Sequence, residues 1–85
     1  MGIRDILRDY FSSSIESKEW PKNWIFEGSF VNLLAADTWH VLGYRPDRIE
    51  RFLGLPVQVC SPGEGNRLVT ENGWIIIAQP MPHND

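Results

Sequence analysis

The dipeptide Asn72-Gly73, set between strand-like segments at 67–71 and 74–79, constrains the fold of this 85-residue chain more than any other feature. Asn-Gly is favoured at the centre of a type I′ turn, where both central residues need positive φ. The pattern therefore predicts two antiparallel strands joined by a tight hairpin. In the register that such a turn sets, Thr70 faces Ile75 and Leu68 faces Ile77 on one side, with Val69 and Ile76 on the other. Apolar residues thus occupy both faces of the hairpin. One face is expected to meet helices, which leaves the other for a further contact.

The rest of the chain supplies the helices. Ile3, Ile6, Leu7, Tyr10, Phe11 and Ile15 recur at helical spacing, with Arg4, Asp5, Arg8 and Asp9 on the wet side. The serines at 12–14 weaken the end of that helix, and Pro21 stops it. Trp24-Ile25-Phe26 is a bulky run suited to a short strand. Ser29 then stands as an N-cap before a second helix through Leu42, with Gly43 placed to end it in the left-handed conformation. Pro46 at a first helical position and Gly54 beyond the end predict a third, short helix over 46–53. After Pro56 the period changes, and 57–60 reads as a strand preceding the hairpin.

The expected fold is a single α+β domain over 1–85: two longer helices and one short helix on a three-stranded antiparallel meander, with 80–85 as a flexible tail. The order α-β-α-α-β-β-β is also winged-helix-like. Four Trp, four Phe and two Tyr provide enough apolar bulk for a core without metal or disulfide.

Charge and cysteine usage restrict the function classes. Eight Lys and Arg against eleven Asp and Glu give a net charge of −3, with no basic block, so nucleic acid is disfavoured as a partner. The single cysteine, Cys60, excludes an internal disulfide and suits a reducing compartment. Charges interrupt every early apolar run, and the apolar stretch 74–78 is too short to span a bilayer. A soluble cytoplasmic protein without membrane contact is expected.

Few constellations carry chemistry. Arg45, Arg48 and Arg51 recur every third residue along the third helix, which with its predecessor would form a helix-turn-helix; Lys18, Lys22 and Arg67 extend that basic set. Asp47 and Glu50 interleave with these arginines and offset their field. Cys60 with His40, oriented by Asp37, is the one nucleophile–base combination, but nothing in the spacing brings these residues together. Cys60, His40 and His83 lack the paired spacings of a zinc site, so no metal and no cofactor are expected. Ser61-Pro62-Gly63-Glu64-Gly65-Asn66 lacks the Lys-Ser/Thr of a phosphate loop and reads as a connector with a β-turn at Pro62-Gly63.

The tryptophans are the best lead. Trp39 is expected in the core, whereas Trp20 and Trp24, flanking a Pro-Lys-Asn turn, and Trp74, beside the hairpin turn, suit an interface. The sequence therefore points to a non-enzymatic, self-associating protein-interaction or regulatory module, with Trp20, Trp24, Trp74 and Ile76 at its interface. The alternative is a winged-helix nucleic-acid binder acting through Arg45, Arg48 and Arg51. A small thiol enzyme built on Cys60 is the third reading.

Overall fold

A computed structural model describes residues 2–43 and 49–77, with 40–42 described by their backbone alone. The expected α+β class holds. Helix α1 (Ile3–Glu16) leads to strand β1 (Pro21–Glu27) and helix α2 (Gly28–Leu42). Strands β2 (Arg51–Phe52), β3 (Leu55–Cys60), β4 (Asn66–Thr70) and β5 (Gly73–Ile77) follow. They form one five-stranded sheet in the order β2-β3-β1-β4-β5.

That order corrects the expected meander. The run at 57–60 does not pair with β4; β1 stands between them, parallel to β3 and antiparallel to β4. The segment around Trp24-Ile25-Phe26 takes the centre, where the two aromatic rings of β1 can both be buried under the helices. Trp24 and Phe26 are both fully buried. Parallel neighbours need a long crossover, and the chain between Glu27 and Leu55, with α2 in it, provides one. The supposed Pro-Lys-Asn turn is the start of β1, with Pro21 at the first strand position, where a missing N–H is tolerated. Lys22 is the extra residue of a bulge between Pro21 and Asn23.

The third helix is also corrected. Over its last residues the chain is a hairpin, Phe52 pairing with Leu55 around Leu53 and Gly54, whose φ values are +51° and +78°. Two positive φ values at the centre define a primed turn, which a leucine does not advertise. The predicted beginning of that helix, with Arg45 and Arg48, lies outside the described residues, as does the tail 80–85. Arg51, expected on a recognition helix, is an exposed strand residue whose Nη1 donates to the Gly54 carbonyl at 3.2 Å.

The β4–β5 hairpin forms with a different loop. Thr70 pairs with Gly73, so Glu71-Asn72 is the connection, and Leu68 lies opposite Ile75 rather than Ile77. A register offset of two residues preserves every face assignment, because side chains alternate with period two. Val69 and Ile76 therefore stay together on the side away from the helices, as expected.

The helices cover one face. Leu7 of α1, Phe30 and Leu34 of α2, Trp24 and Phe26 of β1, Phe52, Leu68 and Ile77 form the buried cluster. Its aromatic centre is tight: Trp24 stacks on Phe26 at 5.5 Å, and Phe26 meets Phe30 at 4.9 Å. Helix α1 continues past its serines; Ser14 is buried and its Oγ donates to the Phe11 carbonyl at 2.8 Å. Arg4 is not wholly on the wet side. It lies over the Phe52 ring at 5.3 Å, and Nη1 donates to Thr38 Oγ1 at 3.1 Å, joining the two helices. Helix α2 starts two residues early, with Glu27 rather than Ser29 at its N-cap, and ends as expected at Gly43 with φ +78°.

Candidate interaction surface

The face of the sheet opposite the helices is built by alternation along each strand. One row across it runs Gln58, Ile25, Arg67, Ile76; the next runs Asn23, Val69, Trp74. The β1–β3 side of this face is polar, with Asn23 Nδ2 donating to Gln58 Oε1 at 3.4 Å. The β4–β5 side is apolar. Trp74 and Ile76 keep 62% and 69% of their surface exposed, and they stand two residues apart on the same face of the edge strand. Single exposed apolar residues are ordinary, but two large ones side by side with Val69 make a patch.

Arg67 gives this patch a cationic component. Its guanidinium carbon lies 6.0 Å from the centre of the Trp74 ring, across the diagonal of the β4–β5 pair. Its Nε is shielded from solvent and has no hydrogen-bond partner. An indole and a guanidinium presented together on a sheet face that no described element covers match the composition of binding hot spots.

The four tryptophans divide differently from expectation. Trp74 and Trp20 are exposed, the latter 51%, and the Trp20 carbonyl accepts the Glu71 N–H at 3.1 Å, at the same end of the sheet as the β4–β5 loop. Trp24 is a core residue, fully buried, so no partner reaches it. Trp39, expected inside, is 52% exposed. The buried stripe of α2 runs through Phe30, Leu34, Ala35 and Thr38. Trp39 lies about 100° round the helix from Thr38, at the margin of that stripe.

The other chemical candidates are also located. Cys60 ends β3 beside Glu27 of β1, and its Sγ lies 3.6 Å from the Gly65 carbonyl. The His40 side chain, the base that a thiol mechanism requires, lies outside the described set, and so does His83. Asp37 Oδ2 is buried without a hydrogen-bond partner, on α2 beside Gly2. Among the described residues no group of three or more His, Cys, Asp or Glu is arranged to hold a metal ion. No described helix is long and apolar enough to cross a membrane.

The loop 61–65 is the connector its sequence suggested. Glu64 N–H donates to the Ser61 carbonyl at 3.2 Å and Gly63 has φ +91°, a type II turn with Pro62 at its second position. Sequence reasoning missed what holds it. The Glu27 carboxylate accepts the N–H groups of Gly63 at 3.0 Å and Gly65 at 2.9 Å, and the Glu27 N–H donates to Asn66 Oδ1 at 2.8 Å. A glutamate ending an apolar strand carried no signal that it would clamp a loop so distant in sequence.

No protein family, characterised protein or solved structure matches this chain. Its function is therefore read from this geometry alone.

Proposed function

We propose that this chain is a non-catalytic protein-interaction module that self-associates through the β5 side of its open sheet face. The observation that carries this reading is the pair Trp74 and Ile76, both more than half exposed on one face of an edge strand. Covering them removes a large apolar area from water, and Arg67 beside them supplies a polar, directional component. A second copy is the simplest cover, because a two-fold arrangement brings the same patch to both sides. Trp20, at the loop end of the sheet, belongs to the rim of this surface. A reducing intracellular compartment suits a chain with one thiol.

The test is light scattering after size exclusion, in low and high salt, with and without generic duplex DNA. The expected result is a DNA-free dimer insensitive to salt, which Trp74→Ser with Ile76→Ser converts to a folded monomer. A wild-type monomer removes the support for self-association. A complex with DNA that dissociates as salt rises overturns the reading in favour of nucleic-acid binding.

A further inference from the structure

Resting on the self-association proposed above, we propose that the two copies join edge to edge, β5 pairing antiparallel with the partner's β5 about a two-fold axis at Ile75. The two sheets then become one continuous sheet. Strand β5 ends the strand order, so among the described residues its outer row of backbone N–H and C=O groups has no partner. Protein edges are normally guarded by charge, proline, bulges or extreme shortness. Strand β5, Gly-Trp-Ile-Ile-Ile, has no charge and no proline, and its pairing with β4 is regular. The opposite edge is guarded. Strand β2 is only two residues long, one of them the exposed Arg51, and it pairs with Pro56.

Spacing and charge then select a second copy as the occupant. An antiparallel two-fold at Ile75 sets Trp74 opposite the partner's Ile76, and Ile76 opposite the partner's Trp74. Aromatic and β-branched residues are favourable cross-strand neighbours, and this pairing is made twice. Both exposed residues of the patch are matched by one operation, with no residue left over. The operation also places every residue of β5 against an uncharged one, so no like charges meet. The same operation on β2 would crowd Arg51 against its own copy. Beneath each new pair, Arg67 continues the row on β4.

Cysteine cross-linking reads this axis directly. Residues facing each other across an antiparallel pair have Cα atoms about 4.5–5.5 Å apart, within reach of a disulfide. In a Cys60→Ser background, Ile75→Cys is expected to cross-link to its own copy under mild oxidation at least about ten-fold faster than Val59→Cys. Val59, 65% exposed on β3, is a more accessible control than Ile75, which is partly buried against the core, so accessibility alone would favour the control. A wild-type dimer without the Ile75→Cys cross-link overturns the edge pairing while self-association stands. A wild-type monomer overturns both. Should Ile75→Cys not fold, amide exchange in the unsubstituted chain decides: protection over 73–77 that rises with protein concentration supports the pairing, and concentration-independent exchange there refutes it.

Discussion

The indole Nε1 of Trp24 donates a 2.9 Å hydrogen bond to the backbone carbonyl of Phe52. This bond ties the central strand to the β2–β3 hairpin from inside the core, and the two rings meet edge to face at 5.7 Å. Trp24→Phe removes the donor, leaves the Phe52 carbonyl only its ladder pairing with Leu55, and opens a void. The expected loss is about 2–4 kcal/mol. It is measured as a lower urea midpoint at unchanged slope.

Lys18 occupies a glycine's place. It has φ +60° just past α1, where Glu19 N–H returns to the Ser14 carbonyl at 2.8 Å and Lys18 N–H to Ile15 at 2.9 Å. This is the Schellman pattern, whose left-handed residue is usually glycine. Lys18→Gly is expected to stabilise the protein by about 0.5–1 kcal/mol, because the strain relieved exceeds the added chain entropy. Thermal unfolding checks it, and a lower midpoint would contradict the strain argument.

The Glu27 clamp is testable separately from the fold. Glu27→Gln keeps the shape but leaves one neutral oxygen for two N–H donors. Amide exchange at Gly63 and Gly65 is expected to accelerate, with a stability loss of about 1–3 kcal/mol. Unchanged exchange at both glycines would show that the loop holds itself.

Asn66 is buried, accepts from the Glu27 N–H through Oδ1, and leaves Nδ2 without a partner. Asn66→Asp places a carboxyl there, where burial and the adjacent Glu27 carboxylate disfavour its ionised form. Its folded-state pKa then lies above the unfolded value of about 3.9. The folded state holds that proton more tightly, so the variant is most stable below about pH 4 and loses stability as pH rises through the folded value. Urea unfolding of variant and parent at about pH 4 and pH 7 measures the difference, which is expected to widen at the higher pH.

Much of the fold was legible because its signals are local. The helical spacing of Ile3 through Ile15, the Gly43 terminator and the Pro62-Gly63 turn each concern neighbours in the chain, and each appears in the structure. The third helix failed although its local signals agreed with one another. Ile49, Phe52 and Leu53 have helical spacing, but the Phe52 carbonyl is claimed by Trp24 and the Glu50 carbonyl accepts Val57 N–H at 2.9 Å. Tertiary partners overrode propensity there. The place of β1 was invisible for a related reason: nothing in Trp24-Ile25-Phe26 says which strands will flank it. For the candidate site, two-sided apolarity of the hairpin was enough to mark Ile76, and its turn-adjacent position to mark Trp74. Trp24 and Trp39 exchanged their expected places, since a tryptophan's burial depends on where its element docks.

The central place of β1 also sets the order in which this protein is completed. Trp24 finds its sheet neighbours at Val57 and Leu68, both encoded far downstream. On the ribosome the most aromatic strand emerges early and waits for both of them. Long chain closures then precede the contacts that reward them, a topology that slows folding relative to a helical bundle. Meanwhile an unpaired strand of Trp, Ile and Phe stays open to chaperones and to misassociation with neighbouring chains.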